Sequence, residues 1–370
     1  MPAARGDGVM EIGGIGIPPG EHREFDLPLT ETTSGGTVSV PVRVWRGAKP
    51  GPTVFVAAAV HGDEINGTGI IRTLVLRESL ALEAGTLVLV PVVNILGFER
   101  HVRYLPDRRD LNRCFPGSER GSFARRFAYR FFEAIVRHCD FGIDLHSAAV
   151  RRMNFPNVRA NLDDERCRDL AEAFGCELLV HGTGPVGSLR RTATEAGCPT
   201  ILLEAGEVWK VEPSINEAGV QGVVNVLKHL GMVPGQPERP RFQVAVRKTK
   251  WVRARVGGFL EFHVTPGTVV QAGQPIATNT SLLGQEHNLL EAPLDGMVIG
   301  MTTLPAVAPG DPVCHLAVGA DFAPALVALQ QPHQATVYDR VREDLARKVT
   351  AVGRDAMPTA SANRRGPDDA

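Results

Sequence analysis

Residues 54–60, VFVAAAV, carry no polar side chain, and the run ends abruptly on His61, Gly62, Asp63 and Glu64. A strand this apolar has to be buried on both faces. The same pattern recurs along the first 230 residues. GTVSVPVRVWR (36–46) alternates like a strand and GAKPGP turns the chain into the apolar run. NGTGIIRTLVLRESLAL then places apolar residues at helical spacing, and GTLVLVPVVN is again short and buried. FARRFAYRFFEAIVRHC reads as a helix before the strand FGIDLHS, DERCRDLAEAFG as another helix, and PTILLEAGE as the last strand. Apolar strands alternating with helices predict an α/β fold: a mostly parallel mixed sheet covered by helices on both faces.

The chain has 370 residues, 43% of them hydrophobic, enough for one large domain and a smaller one. The periodic pattern stops at HLGMVPGQPERPRF (229–242), where Pro, Gly and charge take over. This predicts a first domain over 1–235, a β-sandwich over 243–320, and a C-terminal helix with a disordered tail over 321–370. The second part contains two parallel phrases, VTPGTVVQAGQPIA and LPAVAPGDPVCHLA, each a strand, a glycine turn and a strand.

Lys plus Arg (40) and Asp plus Glu (41) nearly cancel, and the pI is 6.8, so no overall field favours nucleic acid or an anionic membrane. A small molecule is the expected partner. The six cysteines form no C-x-x-C and suggest neither a thiolate zinc knuckle nor a disulfide framework. With no apolar leader in MPAARGDGVMEIGG and no run approaching a membrane span, a cytoplasmic location is expected.

In open α/β sheets the reacting groups collect at the carboxyl ends of parallel strands. His61 and Glu64 follow one such strand, His146 closes FGIDLHS, and Glu204 ends TILLE. Two histidines and a carboxylate are the ligand set of a catalytic zinc site that keeps a fourth position open. Glu204 is then left over as a base. Each residue also has a plainer reading: H-x-x-E as a cap or surface pair, and His146 as a core histidine. A carboxylate finishing a buried strand is harder to dismiss, because it has to be paired or poised. A second segment, HVRYLPDRRDLNRCFPGS (101–118), gathers charge. Asn112 and Arg113 could hold a carboxylate, and Asp110 could orient a metal-bound imidazole. A solvated charged loop is the alternative, and the preferred one for Arg108 and Arg109.

Taken in order, HGDE after an apolar strand, DLNR with FPG behind it, DLHS and LEAGE resemble the succinylglutamate desuccinylase and aspartoacylase family, within the zinc carboxypeptidase superfamily. The resemblance covers roughly residues 35–230 and points to bacterial members with an extra C-terminal β-domain. It implies that His61, Glu64 and His146 bind one Zn²⁺ and that Glu204 is the general base and acid. It further implies that Arg103 polarises the scissile carbonyl, that Asn112 and Arg113 bind the substrate carboxylate, and that Arg190 or Arg191 assists them. The implied reaction is hydrolysis of an N-acyl amino acid. A carboxypeptidase acting on short peptides and a metal-binding sensor are the alternatives. Residues selecting the acyl group are expected in loops such as VRRMNFPNVRANLDD (150–164).

The second domain's EAPLDGMVIG and PAVAPGDPVCHLA resemble the biotinyl and lipoyl β-sandwich, whose carriers attach their cofactor to a hairpin lysine. The corresponding TSLLGQEHNLLEAPLDG contains no lysine, and Lys248 and Lys250 sit at the domain's entrance. A shield over the site or a homo-oligomer interface is expected instead of a swinging arm.

Overall fold

The computed structural model describes residues 9–76 and 80–349. Residues 77–79 of the first expected helix and the tail PTASANRRGPDDA lie outside the described residues. The chain begins with β1 (Met10–Ile12) and β2 (Ile15–Ile17), then β3 (His22–Glu31) and β4 (Thr37–Arg46), which pair antiparallel. Next come β5 (Lys49–Ala58), α1 (Asn66–Leu76), β6 (Ala84–Val90), α2 (Ile95–Phe98), α3 (Phe123–Ala134) and β7 (Phe141–His146). They are followed by β8 (Arg152–Ala160), α4 (Glu165–Phe174), β9 (Leu178–His181), α5 (Leu189–Glu195), β10 (Thr200–Gly206) and α6 (Pro213–His229).

Strands β6, β5, β7 and β10 lie side by side and parallel, forming the centre of the sheet. The apolar run explains the layers on either side. Successive side chains on a strand point to opposite faces, so Val54, Val56 and Ala58 enter one core with Ile70 and Leu74 of α1 and Val223 of α6. Phe55 and Ala57 enter a second core with Phe127 and Phe131 of α3 and Leu189 of α5. Helices therefore cover both faces, as the sequence predicts. The flanks make the sheet mixed: β4 pairs antiparallel with β6, and β8 antiparallel with β10. Only the crossovers through helices force parallel neighbours. β8 follows β7 after a short loop, reverses direction and still finds a place beside β10, so the sheet is mixed with a parallel centre.

The rest of the chain extends this sheet. β11 (Val244–Val246) pairs with β9, and is followed by β12 (Lys248–Arg253), β13 (Gly258–Phe262), β14 (Val269–Val270), β15 (Pro275–Thr280) and β16 (Glu286–Glu291). β17 (Gly296–Thr302), β18 (Ala306–Val307), β19 (Pro312–Val318), α7 (Ala323–Gln330) and α8 (Val337–Ala346) complete it. β16, β15, β13 and β18 make a separate four-stranded sheet. β12, β19, β17 and β14 belong to the large one, because β17 pairs with the start of β8: Gly300 with Asn154, Met301 with Met153, Thr302 with Arg152. Among the described residues, no helix is long and apolar enough to cross a membrane.

α8 returns to the first part of the chain and packs on α6 and β8. Its Arg342 forms a forked pair with Glu177, a carboxylate with no exposed surface. The guanidinium also lies 4.9 Å from the centre of the Phe155 ring. Breaking a buried pair from one side leaves a charge without its partner. Arg342→Met is therefore expected to cost about 3 kcal/mol, with the double variant Arg342→Met/Glu177→Gln recovering part of the loss. Urea unfolding measures both; a single-variant cost under about 0.5 kcal/mol, the level of an ordinary surface change, would show that the pair does not hold the helix.

Candidate active site

The end of β5 is turned sharply. Ala59 adopts a left-handed backbone conformation (φ 49°), unusual for a residue with a Cβ and the kind of local strain found at functional sites. Gly62 is pressed against the backbone of Gly97 and Phe98, where any side chain would collide. The Glu64 amide then donates to the His61 carbonyl at 3.1 Å. The turn thus brings the side chains of His61 and Glu64 together. Asn66 opens α1 and is pinned by Glu212, which accepts from its Nδ2 and donates its own amide to its Oδ1, both at 2.9 Å. His146 ends β7, and Glu204 is its register partner on β10.

Glu64 is 2% exposed and lies between the two imidazoles. Its Oε1 is 2.7 Å from His61 Nδ1 and its Oε2 is 2.8 Å from His146 Nδ1. The Ser147 amide donates to Oε2 at 3.1 Å. Each imidazole has a second carboxylate at its far nitrogen: Asp110 Oδ1 lies 3.2 Å from His61 Nε2, and Asp144 Oδ2 lies 3.0 Å from His146 Nε2. The latter is a close ionic contact without hydrogen-bond alignment, since neither atom has a hydrogen-bond partner.

Burial would push the Glu64 carboxyl up, but His61 and His146 hold it well below the usual carboxylate range. For the imidazoles burial favours the neutral ring, and the carboxylates outweigh it. Glu64 and Asp110 raise His61, and Asp144 and Glu64 raise His146 well above its ordinary value. The three residues offer ligand atoms within 4.8 Å of one another and could hold a metal ion. The donor chemistry fits one: both Nδ1 atoms converge on an ionised carboxylate, and an acid at each Nε2 favours the tautomer that leaves Nδ1 free to ligate.

The charged segment lies against this cluster. Arg103 Nη1 donates to Glu64 Oε1 at 2.9 Å and its Nη2 to Asp110 Oδ2 at 3.2 Å. Burial opposes ionisation of Asp110, but the His61 hydrogen bond, with Arg103 and Arg113, holds it well below the carboxylate range. Asn112 is buried, and its Oδ1 accepts from the Leu189 amide at 2.8 Å, which couples the segment to the start of α5. Arg113 is exposed, with Nη1 on the Asn112 carbonyl at 2.7 Å. Arg190 and Arg191 separate by helix phase. Arg190 is buried, its guanidinium brought down to about 10 first by burial and then by Arg159, while Asp144 and Glu204 act on it in the opposite sense. Arg191 pairs with Glu195 at 2.7 Å on the outer side of α5.

Sequence reasoning missed four neighbours. Asp144 was legible as the residue two before His146, on the same face of the strand. Asn154, Asn157 and Arg159 were hidden because RRMNFPNVRA does not alternate cleanly; the segment expected as a loop is strand β8. Asn154 Nδ2 donates to Glu204 Oε2 at 2.9 Å, and Arg159 Nη1 stands 3.6 Å from Oε1.

A buried two-histidine, one-glutamate cluster at the carboxyl ends of a parallel-centred sheet defines an α/β protein with a candidate metal centre. The family model described as the succinylglutamate desuccinylase/aspartoacylase catalytic domain matches residues 50–230. The N-alpha-acetyl-L-2,4-diaminobutyric acid deacetylase of Halomonas elongata is 28% identical over 270 residues, 70% of this chain and 79% of that protein. Among solved structures, a succinylglutamate desuccinylase/aspartoacylase from Rhodobacter sphaeroides is 29% identical with a TM-score of 0.69, covering 80% of this chain and 94% of that one. The product-bound ectoine utilization protein EutE (DoeB) from Ruegeria pomeroyi is 25% identical with a TM-score of 0.70, covering 81% and 95%. The chain belongs to the succinylglutamate desuccinylase/aspartoacylase family, a deacylase family whose relatives support hydrolysis of amide bonds.

If this candidate cluster holds a divalent metal, Glu64→Gln and His146→Ala should each lower its affinity at least about 100-fold. Arg191→Ala should leave it unchanged. Metal bound per chain after equilibrium dialysis reads all three; full retention by Glu64→Gln would remove that residue from the ligand set.

Proposed function

We propose that this protein is a zinc-dependent hydrolase of the amide bond in N-acyl amino acids, with one Zn²⁺ per chain held by His61, Glu64 and His146. The observation that carries the reading is the pairing of Glu204 with His146 in register on neighbouring parallel strands. It sets a carboxylate outside the ligand cluster but next to it. When bound, the ion supplies Lewis acidity, lowering the pKa of water toward roughly 7 and polarising a carbonyl.

The chain's own residues do the rest. Glu204 accepts the proton of the attacking water and returns it to the leaving amine. Arg103, already beside the cluster on Glu64 and Asp110, stabilises the oxyanion that develops on the scissile carbonyl. Asn112, Arg113 and Arg190 bind the substrate carboxylate; Arg191, turned toward Glu195, is the weaker candidate. Asp110 and Asp144 hold the two imidazoles in the ligating tautomer.

The Halomonas relative's activity supports acetyl as the first acyl group to try. It also favours deacylation over a carboxypeptidase acting on short peptides. A metal-binding sensor needs no base, so the carboxylate at position 204 argues against that reading. We assign residues 1–235 to catalysis and 243–320 to a β-sandwich resembling the biotinyl and lipoyl fold, followed by a C-terminal helical segment from 321. The β15–β16 hairpin carries no lysine, consistent with a domain that shields the site or joins copies of the chain. We place the enzyme in the cytoplasm, acting on small molecules and not on nucleic acid or membranes.

Zinc content and hydrolysis are to be measured together on N-acetyl, N-succinyl and N-formyl amino acids, Nα-acetyl-L-2,4-diaminobutyric acid and short peptides. Turnover of an acyl amino acid is expected. Glu204→Gln should lose about 10³-fold in kcat with its zinc retained, within the usual range for a general base, whereas His61→Ala loses both. Zinc loss from Glu204→Gln would make Glu204 a ligand, and a preference for peptides would make the enzyme a carboxypeptidase.

A further inference from the structure

A glutamate side chain has three torsions, and a base that is free to sweep through them is a poor one. Both Glu204 oxygens have partners from β8: Asn154 Nδ2 at 2.9 Å on Oε2 and Arg159 Nη1 at 3.6 Å on Oε1. Asn157 Nδ2 reaches the main-chain carbonyl of the same residue at 3.3 Å. Of the two side-chain contacts, only the one from Asn154 is a hydrogen bond. An amide donor fixes one carboxylate oxygen without competing for the proton, because it does not itself titrate. The other oxygen, Oε1, has the longer ionic contact with Arg159 and no hydrogen bond from β8.

The place of Asn154 depends on a residue far along the chain. Gly300 of β17 is its register partner, and β17 belongs to the part of the chain that supplies the second, four-stranded sheet. A Cβ at position 300 would come within 2.5 Å of Asn154 Oδ1 and 3.1 Å of the Met153 carbonyl. The amide of Asn154 therefore occupies the space that a side chain at 300 would fill. We propose that Asn154 is the positioning residue for Glu204 and that Gly300 makes room for it, so that β17 takes part in setting the geometry of the reaction. This rests on Glu204 being the proton acceptor.

The experiment is a double-mutant cycle on the zinc-loaded full chain, with the acyl amino acid of the panel above that it turns over fastest. Asn154→Ala should lower kcat roughly 10–100-fold, a part of what the base contributes, with KM within about twofold and zinc content unchanged. Gly300→Ala should act in the same direction. In the double variant the loss should be close to that of Asn154→Ala alone, because the 2.5 Å clash with the Asn154 side chain is gone and only the 3.1 Å approach to the Met153 carbonyl remains; a role for Gly300 independent of Asn154 would give additive losses. Asn154→Ala removes atoms without creating a clash, so it remains informative if Gly300→Ala fails to fold.

Unaltered kcat in Asn154→Ala beside an inactive Glu204→Gln would overturn the positioning role and leave the base assignment standing. A loss carried by KM alone, or additive losses in the double variant, would overturn it too. Turnover retained by Glu204→Gln, or no turnover of any panel member by the unaltered chain, would bring down the hydrolytic mechanism and this inference together.

Discussion

The carboxylate of Glu64 is buried almost completely, and such a charge persists only where its surroundings keep it ionised. Two imidazoles do so here, one at each oxygen, and each imidazole is backed by another acid. Acid and imidazole alternate from Asp110 through His61, Glu64 and His146 to Asp144. These residues come from the turn after β5, the charged segment, and β7. Displacing any of those elements would leave a charge without a partner in the interior, so the local architecture and the electrostatics hold each other in place.

The parallel centre of the sheet is what makes this cluster possible. Strands apolar on both faces leave no room for polar chemistry along their length, and confine it to their carboxyl ends. Sequence alone reached that far, because the abrupt change from VFVAAAV to HGDE is a local signal, as is the histidine closing FGIDLH. What it did not reach depends on nonlocal facts. The phase of α5, which sends Arg190 inward and Arg191 outward, follows from where that helix packs. β8 carries arginine and asparagine where a buried strand would carry valine, since part of it faces the site, and so resembled a loop. The pairing of β17 with β8 has no local signature at all.

The C-terminal portion is also bound to the first part of the chain by ion pairs. Arg342 reaches Glu177 beside β9, and Lys348 pairs with Glu212, the residue that pins Asn66 at the start of α1. Glu212 thereby joins the last described turn of the chain to the helix that follows the metal-ligand candidates.

The junction between β8 and β17 also bears on how the molecule is made. Asn154 leaves the ribosome long before Gly300, and the intervening strands must be held without their final neighbour for that interval. Domains assemble as they are synthesised, and pairings between distant segments form last. Until β17 arrives, the start of β8 presents an unpaired edge of the kind that recruits other chains. The nascent protein thus passes through a stage in which its helices and parallel strands could already be packed while Glu204 still lacks its full surroundings, and in which that edge is open to mispairing.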